Sequence, residues 1–250
     1  MSGHSKWHNI RLRKGKQDAE RGKLFTRLTR EVIVAAKEGG GSIDTNGRLR
    51  LAVEKARESS MPSDNIKRAI ERGVGGGQGT NYDEVSYEGY APGGVAVMVA
   101  AMTDNKNRTV AEIRSAFTRG GGQLGETGCV GWMFDSHAVV TVPREGQDED
   151  ALMMVALEAG AEDVRSDETS FEVIADPSDL RRVVDALKSA GVAYSSAEVT
   201  MLPKNTVQVE GKHAEQVLRL MDALEELDDV QQVYSNFDIP DRVLETLGLS

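Results

Sequence analysis

Apolar residues recur at helical spacing through the first third of the chain. Leu24, Leu28, Val32 and Ala35 mark one stripe, widened by Phe25 and Ala36, and Gly39–Gly40–Gly41 ends it. Leu49, Ala52, Val53 and Ala56 stand at i, i+3, i+4 and i+7 of a second helix, which Asp44 or Asn46 would cap. A third follows Met61–Pro62, with Ser63 as its predicted N-cap and Asp64 in its first turn. Ile66, Ala69 and Ile70 supply its inner side and Gly73 its predicted stop. Three short helices with narrow apolar faces make a small bundle. The glycines between Gly75 and Gly79 then read as a flexible linker.

Past the linker the period changes. Val85 to Tyr90 and Val95 to Met102 read as strands around the turn Ala91-Pro92-Gly93-Gly94. Asn107 to Arg119 reads as a helix packed through Val110, Ile113 and Phe117, and after a glycine-rich loop Val130 to Asp135 reads as a strand. Next come a strand at Ala138 to Val142, a helix on Leu152, Val155, Ala156 and Ala159, and strands at Asp163 to Ser166 and Phe171 to Ala175. Asp176 and Pro177 open a helix on Leu180, Val183, Val184 and Leu187 that Gly191 closes, and Ala197 to Leu202 is a last strand. The order β-α-β-β-α-β is the ferredoxin-like pattern. Thr206 to Glu210, a helix on Ala214, Val217, Leu218 and Met221, and Val230 to Phe237 would supply the elements that residues 80–135 lack. The expected fold class is therefore α+β in three domains. Residues 1–78 form a helical bundle, residues 79–135 with 204–240 a discontinuous α+β domain, and residues 136–203 a ferredoxin-like domain inserted in it.

Composition narrows the setting. No apolar run approaches the roughly 20 residues that span a bilayer, and the polar, basic N-terminus has no secretory-signal core. The single cysteine, Cys129, has no partner for an internal disulfide, so a reducing cytoplasm is expected.

Charge changes the picture more. Residues 1–72 carry seven Lys and ten Arg against nine acids, a net +8, while the remainder carries 13 bases and 31 acids, a net −18. In residues 1–30, nine Lys and Arg face only Asp18 and Glu20. A polyanion is drawn to one end of such a chain and repelled by the rest. Lys6, Arg11, Arg13, Lys14, Lys16, Arg21, Lys23, Arg27 and Arg30 are the candidate phosphate contacts. Trp7 either stacks on a base or packs against the bundle, and His8 lies beside it. A second candidate runs from Thr103 to Thr109, where helix amides, Lys106 and Arg108 would meet a phosphate; the alternative there is an ordinary cap and turn. Backbone contact fits these residues better than base readout.

Other chemistry finds less support. His4 and His8 share helical spacing but have no companion ligands, and the remaining histidines, His137 and His213, stand apart. The carboxylates of 145–172 and 222–229 read as solvated faces rather than as the converging set a metal-dependent nuclease needs. Neither Gly73–Gly79 nor Gly120–Gly128 matches a phosphate-binding P-loop. No catalytic residue, metal, cofactor, small-molecule substrate or membrane partner is expected.

Several runs carry a resemblance. GHSKWHNI at Gly3–Ile10, Arg13-Lys14, the stretch Asp18–Phe25, and MPSDNIKRAIERG at Met61–Gly73 closely resemble the YebC/PmpR family. So do YEGYAPGGVAV at Tyr87–Val97, TDNKNRTVAE at Thr103–Glu112 and VGWMF at Val130–Phe134. The chain departs from the family at His8, where a small residue is frequent, and at Arg11–Leu12, where a basic-His pairing is common. The resemblance implies a three-helix N-terminal domain and two α+β domains, the ferredoxin-like one inserted in the other. It implies a transcriptional regulator that binds DNA. Mitochondrial relatives that activate translation, and bacterial relatives linked to ribosomes stalled on proline-rich stretches, imply the alternative of a ribosomal-RNA-binding translation factor. A structure-specific nuclease is the third reading, from a different class.

Overall fold

The computed structural model describes residues 17–75, 81–167, 169–240 and 243, with side chains from residue 22 onward. It divides into two compact units, one formed by residues 132–208 and 234–238, the other by the described residues up to 131 and residues 209–233 with 239–240 and 243.

The second unit opens with α1 (Gln17–Gly39), α2 (Gly47–Glu58) and α3 (Ser63–Val74). The predicted stripes form the core of this bundle except at Leu24, which is exposed, and Ile70, which is only partly buried. Leu28, Val32, Ala35 and Ala36 meet Leu49, Ala52, Val53 and Ala56 of α2 and Ile66 and Ala69 of α3. Asn46 fixes the corner between α1 and α2. Its Oδ1 accepts from the Leu49 N–H (3.0 Å), capping α2, and its Nδ2 donates to the carbonyls of Ala35 (2.7 Å) and Gly40 (2.8 Å), closing α1. α3 differs from expectation at both ends. Pro62 occupies the N-cap position with no side-chain cap, and Ser63 is the first helical residue. Gly73 lies inside the helix, which continues to Val74. A Cβ at Gly73 would sit 2.6 Å from both the Ala36 Cβ and the Ile33 carbonyl oxygen, so the glycine is there for close helix packing rather than for termination.

The same unit continues with the hairpin β1 (Asp83–Ala91) and β2 (Val95–Thr103), α4 (Lys106–Arg119) and the short β3 (Gln123–Leu124). Asp83 pairs with Thr103 and Ala91 with Val95 in an unbroken antiparallel register. Gly93 and Gly94, with φ of 82° and 80°, make the turn. α7 (Gly211–Glu225) and β9 (Val230–Ser235) complete it; the sheet order is β3-β1-β2-β9. β9 thus lies beside β2 at the edge of this sheet. α4 and α7 pack together and against β1, burying Ile113, Phe117, Val217, Leu220 and Met221.

The other unit holds β4 (Phe134–Pro143), α5 (Glu149–Glu158), β5 (Ala161–Ser166), β6 (Ser170–Ala175), α6 (Leu180–Ser189) and β7 (Ser196–Pro203). Sheet order β5-β6-β4-β7, antiparallel throughout, is the ferredoxin-like arrangement. Val140, Val142, Phe171 and Val173 face Leu152, Ala156, Val183 and Leu187 of the helices. The strands expected at Val130–Asp135 and Ala138–Val142 are one strand, β4, preceded by a single 3-10 turn at Gly131–Met133. The N–H groups of Val130 and Gly131 are taken by a carboxylate, Glu88, and so are lost to any ladder. The strand expected over Thr206–Glu210 shrinks to β8 (Val207–Gln208), paired in parallel with β10 (Phe237–Asp238).

Candidate nucleic-acid interface

Lys23, Arg27 and Arg30 lie at i, i+4 and i+7 along α1 and therefore share one face. That face meets the end of α7. The last carbonyls of a helix have no partner within it and carry the negative end of its dipole. Here α1 supplies the partners. Lys23 Nζ donates to the Glu226 carbonyl (3.3 Å) and pairs with the Glu226 carboxylate. Arg27 donates to the Glu225 carbonyl and Arg30 to that of Asp228. Arg30 also reaches the Met102 carbonyl (3.3 Å) and lies over the Tyr82 ring, 5.2 Å from its centroid. Between α1 and the turn that follows α7 is an open pocket of about 330 Å³ lined by Gly22, Lys23, Thr26, Arg27, Arg30, Leu227 and Asp228.

Asp229, in the turn just before β9, is 1% exposed. It stands 3.0 Å from Arg30 and 2.6 Å from Arg108, and accepts from the hydroxyls of Thr103 (3.1 Å) and Thr109 (2.7 Å). Burial pushes its carboxyl up, but the hydrogen bonds from Thr109, Arg108 and Thr103, with the charge of Arg30, outweigh this and hold it below the usual carboxylate range. The sequence reading of 222–229 as a solvated acidic face is wrong at this residue. Three donors on Oδ2, with the Arg30 charge beside Oδ1, replace the water it gives up. The same contacts define the Thr103–Thr109 segment. Asn105 caps α4 by accepting from the Arg108 N–H (3.1 Å), and Thr103 accepts from the Asn105 N–H (2.9 Å). Arg108 is shared between Asp229 and Asp104, and Lys106 pairs with Asp83 (3.1 Å).

A second buried carboxylate organises the glycine-rich loop. Glu88 of β1, 6% exposed, accepts from the N–H groups of Gly128 (2.8 Å), Val130 (2.7 Å) and Gly131 (2.6 Å). Its carboxyl would rise on burial, yet these three donors hold it below its ordinary value. Its charge, after burial itself, helps push the neighbouring Cys129 thiol up, away from the reactive thiolate. Glu88→Ala strands three amides and is expected to cost about 2–4 kcal/mol. Glu88→Gln, which keeps one acceptor, is expected to cost less. Equal midpoints in urea for wild type and Glu88→Ala would show that the loop does not depend on this carboxylate.

The predicted contacts thus fall into two groups. Lys6, Trp7, His8, Arg11, Arg13, Lys14 and Lys16 lie outside the described residues, as does the side chain of Arg21. Lys23, Arg27 and Arg30 are brought together on one face, Lys106 and Arg108 at the start of α4, and all five face carbonyls or carboxylates of their own chain. Sequence reasoning passed over Lys67 and Arg68, which are exposed on α3, because they stand among acids in an amphipathic helix. Among the described residues no three His, Cys, Asp or Glu are grouped so as to hold a metal ion.

Residues 5–76 match the TACO1/YebC protein N-terminal domain, and residues 82–237 match the TACO1/YebC second and third domain. The chain belongs to the TACO1/YebC family. Relatives within the family span its whole length. A probable transcriptional regulatory protein of Natranaerobius thermophilus is 55% identical over 249 residues, covering 98% of this chain and 100% of the relative. One of the same description from Pelotomaculum thermopropionicum is 55% identical over 243 residues, covering 96% and 100%. The crystal structure of a conserved hypothetical protein from Aquifex aeolicus superposes with a TM-score of 0.83 at 48% identity, over 91% of this chain and 94% of that one. The relatives from Natranaerobius and Pelotomaculum are named as probable transcriptional regulators, and among the described residues no helix is long and apolar enough to cross a membrane.

Proposed function

We propose that this YebC-family protein is a cytoplasmic, non-enzymatic regulator of gene expression that binds DNA through its basic N-terminal domain, residues 1–78. The observation that carries the reading is the division of charge, +8 in residues 1–72 against −18 in the rest. The fastening of α1 refines it. Because Lys23, Arg27 and Arg30 neutralise the end of α7, the phosphate contacts fall chiefly to Lys6, Arg11, Arg13, Lys14 and Lys16, with Arg21 beside them. Lys106 and Arg108 contribute less, each being paired with a carboxylate. The reading takes the chain as three domains, with residues 79–135 and 204–240 supporting the bundle and residues 136–203 inserted.

The acidity of the remaining two domains favours a second reading, a translation factor bound to ribosomal RNA. A net −18 is repelled by an extended duplex, whereas a folded RNA surface is recognised by shape and phosphates at one place.

Co-sedimentation with intact ribosomes at near-physiological salt, in excess duplex DNA, separates the two. The truncated protein lacking residues 1–16 runs beside the full chain, a cut that leaves α1 whole. Displacement from the ribosome pellet by DNA, with loss of DNA binding on truncation, is the expected result. Retention in the pellet despite the DNA, lost on truncation, establishes the ribosomal reading instead. Binding unaffected by truncation rejects the N-terminal assignment under both.

A further inference from the structure

The two helices of the ferredoxin-like unit present different outer faces. That of α6 is charged, with Arg181, Arg182, Asp185 and Lys188 exposed. That of α5 is apolar: Met154 is 64% exposed, Leu157 50% and Met153 37%. On a helix, positions 153, 154 and 157 adjoin, so the three side chains form one stripe. The inner side of α5 is already satisfied by Leu152 and Ala156, both buried, so the stripe is surplus to the core. Unbranched methionines in such a position adapt to a partner's shape.

The surroundings of the stripe select the partner. Residues 145–163 contain Glu145, Asp148, Glu149, Asp150, Glu158, Glu162 and Asp163, and no Lys or Arg. Of these, Glu149 is met by Arg144 (3.1 Å), Glu162 by His137 (3.4 Å) and Asp163 by Arg165 (2.9 Å). Arg182 of α6 donates to the Ala159 carbonyl at the end of α5 (2.6 Å) and is itself paired with Asp179 (3.0 Å). Asp148 caps α5 through the Ala151 N–H. Asp150 and Glu158 flank the stripe on the helix itself and are exposed. An anionic rim repels nucleic acid, anionic lipid and a second copy of the same face.

We propose that the outer face of α5 docks a basic amphipathic segment of a partner protein, whose apolar side covers Met153, Met154 and Leu157 while its Lys or Arg residues meet Asp150 and Glu158. The site is distinct in chemistry from the nucleic-acid interface and does not depend on it.

The probe is an amphipathic Leu/Lys peptide of about 18 residues, long enough to be helical, with the corresponding Leu/Glu peptide as its opposite. Binding to the full-length protein is followed by fluorescence anisotropy. The Leu/Lys peptide is expected to bind and the Leu/Glu peptide not to. M154Q/L157Q, at exposed helical positions that tolerate Gln, is expected to weaken binding about tenfold or more through loss of its apolar anchors. D150N/E158Q is expected to weaken it and flatten its salt dependence. Absence of binding to the Leu/Lys peptide, or equal affinity of wild type and M154Q/L157Q, overturns the proposal. So does sedimentation velocity that finds a wild-type dimer and a monomeric M154Q/L157Q variant, which assigns the face to a second copy.

Discussion

Replacing Asp229 with alanine is expected to lower the stability of the unit by about 3–5 kcal/mol, the usual cost of removing one partner from a buried charge pair. The change is severe because Asp229 answers two guanidinium groups and two hydroxyls at once. Without it Arg30, whose side chain is only 12% exposed, faces Tyr82 and backbone carbonyls with no carboxylate. Asp229→Asn keeps the acceptor for one hydroxyl and is expected to lose less. The pH dependence has a definite sign. A carboxyl held below its ordinary value in the folded state stabilises that state above the unfolded value, 3.8 for Asp229 and 4.5 for Glu88, and the contribution is lost as the pH falls through the folded value. Wild type is therefore expected to lose stability steeply below about pH 4, and Asp229→Asn to show a shallower acid limb. Denaturation midpoints across pH 2–7 check both statements; parallel acid limbs for the two proteins would remove Asp229 from the account.

The salt dependence of nucleic-acid binding is expected to divide lysines that composition alone treats alike. Each phosphate contact contributes about 0.9 to the slope of log affinity against log salt on duplex DNA, and about 0.7 on a single strand. Lys14→Ala with Lys16→Ala is expected to lower the slope by about twice the per-contact value. Lys23→Ala is expected to leave it unchanged, because Lys23 Nζ is held by the Glu226 carboxylate and carbonyl. Its loss appears instead as a small fall in stability, up to about 1 kcal/mol for a pair this exposed. A Lys23→Ala slope as low as that of either single N-terminal variant would mean that the α1 cations leave α7 and pass to phosphate on binding.

The fold was legible where local pattern determines it. The bundle stripes have a period of 3.6 and the ferredoxin-like unit a regular alternation of strands and helices, so their cores, Leu28 to Ala69 and Ala138 to Leu187, follow from spacing. Asn46 was legible as a cap of α2, though not as a simultaneous closure of α1, which depends on where the chain turns back. What escaped was set by partners far away in sequence. Asp229 is one acid in a run of acids, and nothing nearby distinguishes it from Glu226; its burial follows from Arg30 and Arg108, 199 and 121 residues away. The same holds for the α1 cations, whose number was legible and whose engagement was not. Glu88 terminates the expected Val130–Asp135 strand from 42 residues away, through hydrogen bonds that leave no periodic trace.

The register of β4 and β7 has a consequence for how the chain assembles. Phe134 and Pro203 are direct cross-strand partners, so the excursion between them begins and ends at one place. β2 and β9 must find each other across more than a hundred intervening residues. In an unstructured chain that separation carries the entropy of a long closing loop. Once the β4–β7 ladder has formed, the intervening residues behave as a pre-closed loop and the effective search shrinks to the connections 104–133 and 204–229 on either side. Early folding of the β4–β7 unit would thus act as a splint for the late pairing of β9 with β2, turning a slow non-local topology into a more local one.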